Sequence, residues 1–382
     1  MSEWKRVKLK DCCLSISDGD HLPPPKTHSG IPFITISNID STNHIDFGDT
    51  LFVSKDYYDK LDSIRKPREK DILYSVVGSF GKPVLIKENK EFVFQRHIAI
   101  LRPNNSIADS HFLYYEMLTR DFYMQADSVA IGAAQRTVSL TSLRNMTVNL
   151  PPLPIQHRIA TILSRYDSLI ENYQKQIKLM EEAAQRLYKE WFVDLRFPGH
   201  ENTKIADGVP EGWEKKKVGD ITPIKTGKKD ANFGTPDGTY PFFTCSQEPI
   251  KAPSYSFDAS AVILAGNGDF NVKLYRGKFE AYQRTYVLEP TNEKMLYLLY
   301  FCISENMNRL ATGASGSTIK FLTKGMIESL DINEPSIRVI DSFNQRIEPI
   351  RTQKENLQSQ IRLITEARDR LLPKLMSGEI EA

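Results

Sequence analysis

Two kinds of chemistry are within reach of these side chains: hydrogen bonding to nucleic-acid bases and, more remotely, metal-assisted hydrolysis. Gln95-Arg96 and Gln283-Arg284 carry planar amide and guanidinium groups on expected strands. Such groups pair bidentately with adenine and guanine edges in a major groove, although ordinary surface hydrogen bonding uses the same atoms. Gly78-Ser79-Phe80-Gly81-Lys82 is matched by Gly268-Asp269-Phe270-Asn271-Val272. A glycine turn with exposed amides can approach phosphate closely, but a plain β-turn is the simpler account. Gly132-Ala133-Ala134-Gln135-Arg136-Thr137 and Gly313-Ala314-Ser315-Gly316-Ser317-Thr318 form a third pair of small, polar loops. Basic runs follow two tryptophans: Lys5, Arg6, Lys8 and Lys10 after Trp4, then Lys215, Lys216, Lys217, Lys225, Lys228 and Lys229 after Trp213. They fit phosphate contacts and solvated faces equally. The candidate DNA contacts are therefore Lys5, Arg6, Lys8, Gly78, Lys82, Gln95, Arg96, Gln135, Arg136, Lys215, Lys217, Lys228, Lys229, Gln283 and Arg284.

The hydrolytic alternative rests on Asp71, Glu88 and Lys90, an acid followed at a distance by Glu-x-Lys, as a magnesium-dependent nuclease would require. No second-copy equivalent occurs. The histidines (His21, His28, His44, His97, His111, His157 and His200) form no H-x-x-x-H or H-E-x-x-H group, so no metal ligands are assigned. There is no G-x-x-x-x-G-K-[ST] for ATP and no Asn/Asp-Pro-Pro-aromatic tetrad for amino-methyl transfer. Cys12, Cys13, Cys245 and Cys302 lack C-x-x-C spacing and read as reduced thiols. No catalytic residue and no cofactor of its own are expected for the chain.

The elements that must position these residues are announced by a repeat. Trp4, Lys8, Asp11, Pro32, Phe33, Thr35 and Ser37 return 209 positions later as Trp213, Lys217, Asp220, Pro241, Phe242, Thr244 and Ser246. At an offset of 184, the segment Glu171 to Leu187 returns as Glu355 to Leu371 with 10 identities in 17 positions. From Leu163 the apolar residues step by three and four through Tyr166, Ile170, Tyr173, Ile177, Met180, Ala184, Leu187 and Trp191. That period marks a helix packed along one seam against another. The second copy carries Ile347, Ile350, Leu357, Ile361, Ile364, Leu371 and Leu375, with Lys354 and Arg368 as polar seam residues. Pro349 and Pro373 limit its regular part to about 349–372. Antiparallel pairing of the two helices would give a rod of roughly 55 Å, the length of roughly 16 base pairs, with a reader at either end related by a pseudo-two-fold axis. The globular copies look strand-rich, at Ile31–Ile39, Asp71–Val77, Phe92–Leu101, Pro241–Ser246, Ser260–Ala265 and Tyr282–Leu288, with helices at Ser110–Met124 and Glu293–Leu310. The expected fold is α+β: two tandem α/β recognition domains (1–150 and 197–334) separated by helical regions (151–196 and 335–382) that form an antiparallel coiled coil.

A chain of 382 residues exceeds one ordinary core, and the repeat divides it into halves of domain size. Net charge is only +2, so the clustering of basic residues carries more meaning than their sum. No apolar run approaches the roughly 20 residues that cross a bilayer, and the first eleven residues lack the apolar core of a secretory signal. A cytoplasmic protein without membrane contact is expected.

Leu150-Pro-Pro-Leu-Pro-Ile-Gln156 with Ile159-Ala-Thr-Ile-Leu163, and the closing Leu371-Leu-Pro-Lys-Leu-Met-Ser-Gly378, strongly resemble the joints of specificity subunits of type I restriction-modification enzymes. The likeness spans essentially the whole chain. It implies two target-recognition domains that read a bipartite site on double-stranded DNA, and a helical spacer that binds two methyltransferase subunits. S-adenosylmethionine would reside on those subunits, and ATP and magnesium on motor-nuclease (restriction) subunits. Divergence between the copies outside their anchors predicts two different half-sites and an asymmetric target. Two other readings stand beside this one: a stand-alone nuclease, and a tandem coiled-coil adaptor that binds proteins without touching DNA.

Overall fold

The computed structural model describes residues 4–19, 24–40, 42–133, 135–314, 316 and 320–382. The chain forms two compact units, Met1–Gln174 with Ser359–Ala382, and Lys175–Gln358. Each long helix, Leu153–Tyr188 and Ile337–Met376, contributes one part to each unit.

In the first unit a ribbon of Lys5–Lys8 and Thr147–Leu150 brings the entry and exit of the globular fold side by side, antiparallel. Beyond it lies a four-stranded antiparallel sheet in the order Cys13–Asp18, Ile98–Pro103, Ile72–Ser75, Pro83–Leu85. Ile72–Ser75 is buried at every position, so its first three residues are large and largely apolar without alternation, and the buried Ser75 hydroxyl donates to the Ser79 carbonyl. Leu113, Met117 and Phe122 belong to the cluster on one side, and Ile34, Phe92 and Phe94 to the cluster on the other. A second four-stranded sheet runs Lys26–Thr27, Leu51–Val53, Ile31–Ile34, Val93–Phe94, the last pair parallel. The helix expected over 110–124 is two helices, Ser110–Met117 and Arg120–Val129, because the Thr119 hydroxyl caps the second by accepting from the Phe122 amide.

The second unit repeats the plan. Glu214–Lys217 pairs with Asp331–Glu334, and six strands follow in the order Ile224–Thr226, Thr285–Leu288, Phe257–Ala265, Val272–Ala281, Tyr240–Phe243, Ile250–Ala252. The Thr-x-Ser anchor has the same role in both: Thr35 Oγ1 lies 2.7 Å from Ser37 Oγ, and Thr244 Oγ1 lies 2.7 Å from Ser246 Oγ.

The helix seam is buried toward the end of each helix that packs on a globular fold and half-buried over most of its middle. In the first unit Ile159 and Leu163 pack with Leu375 and Met376 over Phe112 and Tyr115, so the two helices run antiparallel there. In the second, Trp191 and Phe192 meet Phe343 and Ile347 in one aromatic-rich core. Ile170 and Leu357 are buried, while Tyr166, Tyr173, Ile177, Met180, Leu187, Ile361, Ile364 and Leu371 are half-buried. Contrary to expectation, the second helix runs unbroken through Pro349 and Pro373. Each proline costs about 3 kcal/mol in a helix interior, and burial of Ile347, Leu357, Leu375 and Met376, at about 1.5–3 kcal/mol each, exceeds that.

The nuclease candidate dissolves at Asp71. Its carboxylate is buried and accepts a bidentate pair from Arg102 (Nε to Oδ1 3.0 Å, Nη2 to Oδ2 2.8 Å), whereas Glu88 and Lys90 are exposed and the Lys90 ammonium lies over the Phe47 ring. His21 lies outside the described residues.

Glu171 on the first helix accepts from His44 (3.0 Å) and from Lys87, tying the globular fold of the first unit to its helix. The His44 hydrogen bond, reinforced by Lys87, overcomes burial and lowers the Glu171 carboxyl to about 2, while the same bond raises the His44 imidazole. A lowered acid contributes stability above its ordinary value of 4.5 and loses it as pH falls toward 2; a raised histidine contributes below 6.5 and loses it as pH rises. Glu171→Gln should therefore lower the thermal midpoint by a few degrees, with the deficit widest between about pH 4.5 and 6.5 and vanishing near pH 2. A deficit independent of pH would show that the contact is not ionic. Leu163→Ala should cost about 2–5 kcal/mol in denaturant unfolding, since the fully buried side chain leaves a cavity between two helices.

Candidate nucleic-acid interface

Three loops of the first unit converge at one rim. The strand Ile72–Ser75 opens into Val77–Lys82, where Gly78 and Gly81 take φ of +71° and +94°. At Gly81 a Cβ would stand 2.7 Å from the Tyr123 ring, so this position needs glycine on both counts. The Gly78 amide donates to the Arg136 carbonyl (2.9 Å), and the Val76 amide to that of His97 (2.9 Å). Phe80 stacks on Tyr123 with centroids 5.9 Å apart, and the Arg136 guanidinium lies 5.3 Å from the Phe80 ring centre. Both Arg136 terminal nitrogens are held by Asp127, on its carboxylate and its carbonyl. Arg136 is thus a fixed planar cation on an aromatic platform. Arg96 is exposed and is followed in sequence by His97, whose imidazole is lowered by burial and by the neighbouring Arg96 charge. Gln95 and Lys82 are half-buried, and the Lys82 amide donates to Ser75 Oγ (2.9 Å).

The second unit assembles the same rim from other residues. Gly268 takes φ of +67°, the Gly266 amide donates to the Arg284 carbonyl (2.8 Å), and Asn267 bridges Phe321 as Val77 bridges Thr137. Lys229 bridges Tyr282 and its ammonium lies 4.3 Å from the Phe233 ring centre. Gln283 donates to Asp230 (2.8 Å), while Lys228 and Arg284 are exposed.

These ladders correct the pairing of residues between copies. Neither Gln-Arg dipeptide lies on a strand proper: Arg96, Gln283 and Arg284 sit in turns and Gln95 at an isolated bridge, and the two dipeptides are one position out of register with each other. The Gln95 amide donates to Ile34 and the Ile98 amide to Gln95; the matching bonds run from Tyr282 to Phe243 and from Thr285 to Tyr282. Tyr282 therefore stands where Gln95 does, Gln283 where Arg96 does, and Arg284 where His97 does. In the third loop, Thr137 is matched by Phe321, which makes Lys320 the counterpart of Arg136. Ala134, Ser315, Ser317 and Thr318 lie outside the described residues; Gln135 is exposed.

Apart from Lys228 and Lys229 at the second rim and Lys225 on the strand Ile224–Thr226, the basic runs lie mainly on the ribbons. Arg6 Nε donates to Thr147 Oγ1 (2.9 Å), and Lys5 and Lys8 are exposed. Lys217 is paired with Asp331 (2.6 Å), Lys216 with Glu214 and Glu334, and Lys215 donates to the Asp207 carbonyl. The acids across the ribbon neutralise much of this run in the second unit. Sequence reasoning missed His97, Lys320 and the Phe80–Tyr123 platform, for which only the strand ladders give a signal.

A family model described as type I restriction modification DNA specificity domain matches residues 1–181 and again 210–359. The specificity subunit of the Escherichia coli type I restriction enzyme EcoDI is 36% identical over 179 residues, 46% of this chain and 40% of that protein. The putative type I restriction enzyme MjaX specificity subunit of Methanocaldococcus jannaschii is 25% identical over 99% of this chain and 94% of its own length. In fold, the crystal structure of a type I restriction-modification system S subunit from M. genitalium matches with a TM-score of 0.61 at 16% identity, covering 98% of this chain and 96% of that one. With two copies of the family domain spanning most of its length, the chain belongs to the type I restriction-modification DNA specificity family.

Proposed function

We propose that this chain is the DNA-reading and scaffolding subunit of a type I restriction-modification complex and has no catalytic activity of its own. Each rim reads one half of a bipartite, asymmetric site on double-stranded DNA, and the two long helices hold two methyltransferase subunits. S-adenosylmethionine belongs to those subunits, and ATP and magnesium to the restriction subunits that join them. No helix among the described residues is long and apolar enough to cross a membrane, and the complex is assigned to the cytoplasm.

One observation carries this reading: divergence has changed the rims and spared the outer faces of the helices. Asn172, Leu179, Glu182, Ala183 and Arg186 are exposed, and so are their identical counterparts Asn356, Leu363, Glu366, Ala367 and Arg370. Leu179 and Leu363 are 54% and 59% exposed. Packing of the seam explains why seam residues persist, but it places no demand on solvent-facing ones. A face kept twice in one chain supports two copies of one partner, while unlike side chains at equivalent rim positions support two unlike half-sites. The two helices, of 36 and 40 residues, are the elements that this reading assigns to setting the gap between half-sites.

A map of methylated adenines in cells carrying this chain and its methyltransferase should show one bipartite asymmetric motif that disappears when this gene is deleted. Arg96→Ala should relax one half-site and Arg284→Ala the other, each at a cost of about 1–3 kcal/mol per base contacted. A motif that survives deletion would favour the adaptor reading, and a palindrome would refute the asymmetry. Leu179→Glu and Leu363→Glu, made singly, should each reduce the bound methyltransferase from two copies to one in native mass spectrometry. Two copies retained in both variants would move the contact off this face.

A further inference from the structure

Among the described residues, each unit has an ion pair joining its two helices: a half-buried one in the first and one at the edge of the seam in the second, where Glu181 is 50% exposed. In the first, Arg368 Nη1 donates to Asp167 Oδ1 (2.7 Å), and the same carboxylate accepts the Tyr115 hydroxyl at Oδ2 (2.6 Å). In the second, Lys354 pairs with Glu181 (2.5 Å). The Arg368 and Asp167 side chains are 28% and 16% exposed; Arg368 is also held by its neighbour Asp369 (Nη2 to Oδ1 2.7 Å), so the Asp167 carboxylate is the charge left worse served if the pair is broken. Both acids lie on the first helix and both bases on the second.

These pairs break the internal repeat. At the offset of 184, Asp167 corresponds to Arg351, Ala184 to Arg368, Ile170 to Lys354, and Glu181 to Thr365. The surrounding segment keeps 10 identities in 17 positions, yet all four seam positions that matter here differ in charge between the copies.

We propose that the two ion pairs select which helix pairs with which: each helix fits the other helix of this chain and rejects a copy of itself. If two chains paired first helix with first helix in the same register, Asp167 would face Ala184 and Glu181 would face Ile170, carboxylates against apolar side chains. Second helix with second would set Arg368 against Arg351, and Lys354 against Thr365. Apolar seam residues alone cannot make this distinction, because the repeat makes both helices similarly apolar. Polar residues at seam positions specify partner and register at some cost in stability. The inference rests on seam geometry and the repeat, and it stands whether or not the rims read DNA.

The experiment uses the full-length chain and three variants, Asp167→Arg, Arg368→Asp and the exchange carrying both. Thermal midpoints report the pairing, sedimentation velocity reports mass, and carbodiimide coupling of Lys354 to Glu181 reports unlike-helix pairing in the second unit directly. Both single variants should melt several degrees lower, and the exchange should regain at least half the loss. Only Arg368→Asp should dimerise, by about tenfold over the natural chain, because a carboxylate there suits Arg351 of a second copy. Its Lys354–Glu181 coupling should fall accordingly. Asp167→Arg gains no such partner opposite Ala184, so it should remain monomeric and keep its coupling. Equal dimerisation of both single variants would overturn the proposal, since it would reflect general loosening of the seam. So would an Arg368→Asp chain that stays monomeric with undiminished coupling, or an exchange no better than the sum of its parts. Should Arg368→Asp lose its helical circular dichroism, Arg368→Glu takes its place with a stronger helix former.

Discussion

An amphipathic helix must cover its apolar stripe, and in each unit that requirement is met by the other helix of the same chain. Ile159 and Leu163 need Leu375 and Met376 in the first unit; Trp191 and Phe192 need Phe343 and Ile347 in the second. The recognition folds depend on the same contact. Phe112, Tyr115 and the half-buried Trp4 close the base of one fold against paired helices, and Trp213 with Leu296 and Phe301 does so in the other. The first unit cannot be assembled from a continuous stretch of chain, because it needs the last residues as well as the first, whereas the second is the single segment Lys175–Gln358 with a helix part on either side of its globular fold.

Charge is placed on top of this apolar frame wherever choice or orientation is at stake. Asp71 and Arg102 join strand to loop inside the first fold, Tyr115 and Arg368 meet on Asp167, and His44 and Lys87 meet on Glu171. In the second unit Tyr297 and Arg276 share Glu348. Each cluster ties a recognition element to a helix or a loop, so the rims are presented by bodies whose orientation to their own helices is specified by direction-dependent contacts.

The sequence revealed local periodicity well and non-local register poorly. The seam was legible because its period of three and four needs only neighbouring residues, and the duplication because Trp, Pro-Phe and Thr-x-Ser recur at constant spacing. Pro349 and Pro373 misled because their cost is local while the compensating burial of Leu357, Leu375 and Met376 comes from a segment far away in sequence. Asp71 resembled a metal ligand because its partner Arg102 lies on a strand 31 residues on, beyond any motif spacing. Two identical Gln-Arg dipeptides invited superposition, but the parallel pairing of Ile34 with Phe94, and of Phe243 with Ala281, shifts them by one position. The rim residues that face outward follow no pattern at all, since nothing inside the fold constrains them.

The ribbon of Lys5–Lys8 with Thr147–Leu150, and its counterpart of Glu214–Lys217 with Asp331–Glu334, make a narrow neck for each recognition fold. A gene that exchanged everything between the two strands of one neck for foreign coding sequence would disturb only four residue pairs at the joint. Both helices, their seam charges and their outer faces would pass to the descendant unaltered. On the proposed reading of DNA by the rims, one recombination event of this kind would change what is read while the shared frame of helices stayed as it was.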